Sequence, residues 1–140
     1  MARHSLPIRI YYEDTDAGGI VYHANYLRYA ERGRTEMLRD LGFAHSKLLH
    51  EQALGFVVRH VEIDYQLPAI LDDMLSVQSE ITRIGGASFD ILQTIVREDQ
   101  VLCVIKVVIV CVNVKTGKAV RLPDEIRKLH KEEEGETVNV

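Results

Sequence analysis

The sequence predicts an α+β domain in which one long helix lies against a five-stranded, mainly antiparallel sheet. Two observations carry this. The apolar period switches from alternation to helical spacing and back only once, giving the order β–α–β–β–β–β. The last apolar run reads as a strand that is apolar on both faces, and one helix covers only one of them.

The elements follow in order. Ile8-Arg9-Ile10-Tyr11-Tyr12 alternates and reads as a first strand, ended by the turn-forming Asp14-Thr15-Asp16-Ala17-Gly18-Gly19. From about Ala24 to Leu41, apolar residues recur at three- and four-residue steps: Tyr26, Ala30, Gly33, Met37, Leu41. Asn25 is the expected N-cap, and Gly42 sits where a helix-ending glycine belongs, with Phe43 folding back on the last turn. Gly33 weakens the helix by ~1 kcal/mol relative to Ala, and its place within the apolar stripe implies close approach to a sheet.

A short helical or irregular piece, Ser46 to Gln52, precedes the remaining strands. Val57, Val61, Ile63, Tyr65 and Leu67 share one face, and Pro68 ends that strand. Leu75, Val77, Ser79 and Ile81 alternate with Ser76, Gln78, Glu80 and Thr82. Gly85-Gly86 turns the chain into Phe89, Ile91, Gln93 and Ile95. Val101 to Val114 forms the last strand, and Asp124 to Glu134 a polar helix or tail. Residues 1–130 thus form one domain, with 131–140 a polar, acidic, solvated end.

Composition excludes several classes. With 46% hydrophobic and 27% charged residues the chain is globular rather than disordered. A net charge of -4 without a basic stripe argues against nucleic acid. Val101 to Val114 is too short for the ~20 residues of a membrane-spanning helix, and the first residues lack the apolar stretch of a signal peptide. Cys103 and Cys111 on one strand would lie ~26 Å apart, too far for a disulfide. They read as core thiols of a cytoplasmic protein. The histidines have no metal-ligand spacing, so neither a metal nor a cofactor is expected.

The chemistry concentrates between Tyr12 and Tyr26. Two carboxylates, Asp14 and Asp16, lie in a glycine-rich loop just before the helix, whose unpaired N–H groups attract an anion or polarise a carbonyl oxygen. A carboxylate facing them can act as nucleophile or general base on that carbonyl. Asp-x-Asp-x-Gly in a loop is common turn chemistry, and Asp before a helix is often only a cap, so spacing alone favours the plainer reading.

The run Asp14-Thr15-Asp16-Ala17-Gly18-Gly19-Ile20-Val21-Tyr22-His23-Ala24-Asn25-Tyr26, continuing through Tyr29-Ala30-Glu31-Arg32-Gly33-Arg34-Thr35-Glu36-Met37-Leu38, resembles the 4-hydroxybenzoyl-CoA thioesterase family. Within that family it is most similar to the YbgC-type enzymes associated with the Tol-Pal system. The similarity extends to about Leu129 and includes Phe56-Val57-Val58-Arg59 and Leu71-Asp72-Asp73-Met74-Leu75. The resemblance implies a hotdog fold, a curved sheet wrapped round the long helix, assembled as a homodimer or homotetramer. It implies hydrolysis of acyl-CoA thioesters, with Asp16 as the catalytic carboxylate. The carbonyl-polarising group is then a backbone N–H near His23, and the His23 side chain is linked to activity. Asp14 shapes the loop.

For the substrate, Gly19 allows close approach and Tyr22 and Tyr26 are candidates for an acyl pocket. Arg59, and the turn carrying Arg83, Gly85, Gly86 and Ser88, are candidates for the CoA phosphates and pantetheine arm, against the plainer reading of solvated surface charges. Two other functions remain beside hydrolysis. One is a hydratase or dehydratase on the same fold, whose Asp/His spacing differs from that of Asp16 and His23. The other is a non-catalytic module binding an acyl thioester, an acyl-carrier protein or the Tol-Pal system.

Overall fold

The computed structural model describes residues 3–129. Five strands, β1 (Arg3–Arg9), β2 (Leu54–Tyr65), β3 (Met74–Ile84), β4 (Ser88–Arg97) and β5 (Gln100–Asn113), form one antiparallel sheet. Their order is β1-β3-β4-β5-β2, so β1 and β2 are the edges. The long helix α1 (Asn25–Asp40) packs on β1, β3 and β4, and the short helix α2 (His45–Gln52) on β2. Register breaks at Val58/His60, Ile81/Arg83 and Ile95/Val96 insert single residues that bend and twist the strands around α1. This is the hotdog arrangement that the sequence implied.

The buried face of α1 is Asn25, Tyr26, Tyr29, Ala30, Gly33, Met37 and Leu38. A Cβ on Gly33 would come within 2.7 Å of Val77 Cγ1 and 3.1 Å of both Ser79 Oγ and Gln93 Nε2, so the helix rests on β3 and β4 through bare backbone. Gln93, fully buried, donates from Nε2 to Ala30 O (2.8 Å) and Ser79 Oγ (2.8 Å), and its Oε1 accepts from Arg34 (3.1 Å). The polar atoms at this seam are thereby satisfied inside the core. At the far end of α1, Gly42 takes φ +96°, and the N–H groups of Gly42 and Phe43 donate to Arg39 O (3.0 Å) and Leu38 O (2.7 Å). That is the expected glycine-terminated close.

Four expectations are corrected. The first strand runs Arg3–Arg9 rather than 8–12, because Asp14 Oδ2 captures the Tyr11 N–H (2.8 Å) and folds Tyr12–Asp14 into a 3₁₀ turn. Asn25 is not the N-cap of α1. Ala24 holds that position without a side-chain cap, while Asn25 Nδ2 donates to Asp14 O (3.0 Å) and its Oδ1 accepts from Arg28 (3.1 Å).

Third, the apolar residues of β2 do not share one face. Val57 pairs with Val110, whereas Val61, Ile63 and Tyr65 pair with Val107, Ile105 and Cys103. The extra residue at the bulge, Arg59, shifts the alternation by one. Fourth, the segment after β5 is not purely polar: a short helix at 124–129 follows Leu122, and Leu122 and Ile126 are buried in the core. The tail expected at 131–140 lies outside the described residues. Cys103 and Cys111 are free, buried thiols, and burial pushes Cys103 up to about 12.

Candidate active site

The loop between the first 3₁₀ turn and α1 is built around Asp14 and Asp16, in different roles. Asp14 holds the frame. Its carboxylate accepts from Tyr11 N, and its carbonyl accepts from Tyr22 N (3.1 Å) and Asn25 Nδ2 (3.0 Å), which fastens the loop to the start of α1. The hydroxyl of buried Tyr29 neighbours the same carboxylate. Burial first, and then Asp14, push that phenol well above its ordinary value.

Asp16 opens the tight turn Asp16-Ala17-Gly18-Gly19. Gly19 N donates to Asp16 O (3.0 Å), and Asp16 N donates to Ile20 O (2.9 Å). Gly18 N donates to Asp16 Oδ1 (2.8 Å), which aims the carboxylate, and a Cβ on Gly18 would meet that oxygen at 3.3 Å. Gly19 takes φ +81°, a conformation that a side chain resists. Asp16 itself is exposed, and Gly18 N is its one side-chain partner among the described residues.

The start of α1 carries no side-chain cap. Asn25 N donates to Tyr22 O (2.9 Å) and Leu27 N to Ala24 O (3.2 Å). Among the described residues, the N–H groups of His23 and Ala24 have no backbone acceptor. Such free N–H groups, at the positive end of the helix dipole, suit an oxyanion.

Beside them lies a cleft of about 300 Å³ lined by Ile20, Val21, His23, Tyr26, Tyr65, Gln66, Leu67 and Pro68. Tyr26 is buried and its hydroxyl accepts Ala69 N (3.0 Å), while Val21 N donates to Ala69 O (2.9 Å), so the segment after β2 closes the cleft floor. Arg97 anchors that segment, donating to Asp73 Oδ2 (2.7 Å) and Pro68 O (3.3 Å).

The cleft brings together His23 and Tyr26, with exposed Tyr22 ring-to-ring against His23 at 4.6 Å. Asp16 and Gly19 lie on the adjoining turn, where Asp16 N donates to O of the cleft-lining Ile20 (2.9 Å). The other substrate candidates divide. Arg59 projects from the β2 bulge, exposed. Arg83 is already engaged: its guanidinium forks onto Asp90 Oδ1 and Oδ2 (3.0 Å each), and Nη2 also donates to Ser88 Oγ (3.0 Å). Gly85 O accepts from Arg127 (3.4 Å) and Gly86 O from Leu122 N (2.9 Å), so this turn is packed against the C-terminal segment. Sequence reading missed Gly18 and Tyr65. Gly18 was legible as the residue two after a loop Asp, where an Asx turn forms. Tyr65 carried no signal beyond strand alternation.

The sequence and the fold are matched by relatives. The sequence model of the Thioesterase-like superfamily matches residues 11–129. The chain is 46% identical over 123 residues to the acyl-CoA thioesterase YbgC of Haemophilus influenzae, covering 88% of this chain and 90% of that one. It is 48% identical over 121 residues to the acyl-CoA thioester hydrolase YbgC of an Escherichia coli O6:H1 strain, covering 86% and 90%. The crystal structure of a probable thioesterase from Bartonella henselae superposes with a TM-score of 0.83 at 43% identity, covering 87% of this chain and 100% of the other. The chain belongs to the thioesterase-like superfamily, and within it to the YbgC-type acyl-CoA thioesterases.

Proposed function

We propose that this chain hydrolyses an acyl-CoA thioester to the free acid and CoA, with Asp16 as the reacting carboxylate and the N–H groups at the start of α1 as oxyanion donors. One observation carries the assignment. Asp16 is exposed and aimed by a single backbone N–H, on a turn that leads straight into an uncapped helix start beside an apolar cleft.

The thioester carbonyl oxygen sits against the N–H groups near His23, and the charge it gains in the tetrahedral transition state is stabilised there. Two routes follow for Asp16. As nucleophile, its free oxygen bonds to the carbonyl carbon, the carbon–sulfur bond breaks, CoA leaves as the thiolate, and water then hydrolyses the mixed anhydride. As general base, Asp16 takes a proton from water as the water oxygen attacks the same carbon. The tetrahedral intermediate then collapses with cleavage of the carbon–sulfur bond, CoA leaves as the thiolate, and Asp16 gives its proton back to the products or to solvent. His23 orients that water or assists Asp16. CoA thiolate is a fair leaving group, so neither route needs a strong general acid.

The cleft sets the scale of the substrate. A volume of about 300 Å³ stands at the small end of ligand pockets, enough for an acyl group and too small for a whole CoA. Gly19, Tyr22 and Tyr26 border the acyl end. Arg59, exposed and on the edge strand, is the better candidate for a CoA phosphate. The turn of Arg83, Gly85, Gly86 and Ser88 contributes through backbone contact, since the Arg83 charge is matched by Asp90.

Edge strand β2 leaves Val57, Val58, Val61 and Tyr65 exposed on one chain. An apolar edge of this kind invites pairing with a second copy, and a homodimer or homotetramer would extend the shallow cleft into a full CoA site. Cytoplasmic location agrees with the two reduced, buried thiols. No helix among the described residues is long and apolar enough to cross a membrane.

The test is a panel of aliphatic and aromatic acyl-CoAs, with an acyl-carrier-protein thioester beside them, assayed by thiol release. Turnover of at least one acyl-CoA, with equimolar acid, is expected. Tight binding of acyl-CoAs without release would make the chain a binding module.

A further inference from the structure

Among the described residues, Tyr65 is the strand side chain that hydrogen-bonds the segment leading into α1. Its backbone is held in the ladder opposite Cys103, and its hydroxyl donates to His23 O at 2.9 Å, across 42 positions of sequence. Its ring stands edge-on to Tyr26 at 5.6 Å and to His23 at 6.3 Å, which leaves the phenol few alternative directions.

The acceptor matters more than the tie itself. The carbonyl of His23 and the N–H of Ala24 belong to one peptide unit. A donor on the oxygen draws electron density from the nitrogen and makes that N–H a stronger donor. It also fixes the plane of the unit, and so the direction in which the N–H points. The preceding unit is treated likewise: Tyr22 O accepts from Asn25 N, which fixes the plane carrying the His23 N–H. Asn25 is free for this because no side chain caps the helix. The N–H groups of His23 and Ala24 thus each belong to a peptide unit whose oxygen already accepts a hydrogen bond.

Resting on the thioesterase reading above, we infer that Tyr65 is a positioning residue, whose hydroxyl orients and polarises the His23–Ala24 peptide unit so that its N–H binds the reacting carbonyl oxygen. Burial first, and then the neighbouring Cys103, raise the phenol above its ordinary value, so it stays a protonated donor through the neutral range.

A donor lost outright from an oxyanion site costs about 10²–10³-fold in kcat. Here the N–H remains and loses only its alignment and polarisation. Tyr65→Phe is expected to lower kcat about tenfold, with KM within about twofold, because the ring still lines the cleft. Its melting temperature should stay close to wild type, since the carbonyl of exposed His23 rehydrates when the phenol is gone. The second variant replaces Tyr65 with 3-fluorotyrosine, a stronger donor with nearly the same shape. It should exceed wild-type kcat, which a purely structural tether would not produce.

The inference is overturned if Tyr65→Phe keeps wild-type kcat, if its loss lies wholly in KM, or if the fluorotyrosine variant does not exceed wild type. Those outcomes require an active wild-type enzyme. A wild type that cleaves no thioester sinks the hydrolase reading instead, and this one with it.

Discussion

Two turns in this molecule share a composition, a charged residue followed within a few positions by Gly-Gly, yet they are built to opposite ends. In the Asp16-Ala17-Gly18-Gly19 turn the carboxylate receives one hydrogen bond, from Gly18 N, and otherwise faces solvent beside an uncapped helix. In the Arg83 to Ser88 turn, the guanidinium is forked onto Asp90 and Ser88, and both glycine carbonyls are taken by the C-terminal segment. One turn holds a charged group aimed and unneutralised. The other neutralises its own charge to close a hairpin. On the proposed assignment, the reactive turn is the one whose charge the fold leaves unpaired in a fixed direction, and glycine content alone does not distinguish the two.

The contrast can be broken by substitutions that leave both carboxylates in place. The largest effect is expected for His23→Ala, a fall in kcat of up to about 10²–10⁴-fold, the usual worth of acid–base assistance. The backbone N–H survives that change, so activity should remain measurable by thiol release. Gly19→Val comes next. A β-branched side chain resists φ +81° and would re-aim Asp16, and a misplaced reacting group costs about 10²-fold. Steady-state kinetics together with far-ultraviolet circular dichroism would separate re-aiming from unfolding.

Smaller effects sharpen the comparison. Arg59→Ala should raise KM for an acyl-CoA about tenfold, the loss of one charge-assisted hydrogen bond to a phosphate, and leave a short acyl-pantetheine thioester unaffected. Arg83→Ala should leave KM within about twofold and lower stability by about 0.2–1 kcal/mol, as for an exposed ion pair. A tenfold rise in KM for Arg83→Ala would return that turn to the binding site.

Much of this was legible because it is local. The α1 stripe, the Gly42 close, the Gly33 contact and the alternation of β3 and β4 depend on residues a few positions apart, or on a period the chain repeats. What was not legible depends on distant partners. Asn25 looked like an N-cap because its type favours one, yet its amide is claimed by Asp14 O, 11 positions earlier. Arg83 looked available because Asp90 becomes its partner only when β4 folds back on β3. The bulge at Arg59 reverses which face of β2 each apolar residue takes, and no residue type announces it. Tyr65 meets His23 only through the tertiary fold. Asp16 was named from the sequence through the family pattern, and its free carboxylate is visible only in three dimensions.

The account stands most directly on one measurement: kcat for thiol release by Asp16→Asn, with Asp14→Asn assayed beside it. The amide keeps the shape of the carboxylate and the Gly18 N–H contact, but is neither nucleophile nor base. A loss of at least about 10³-fold is expected, with oligomer and melting temperature unchanged, while Asp14→Asn, which only frames the loop, loses far less. An Asp16→Asn enzyme retaining a tenth of wild-type kcat, or a larger loss from Asp14→Asn, would contradict the assignment of Asp16 as the reacting carboxylate.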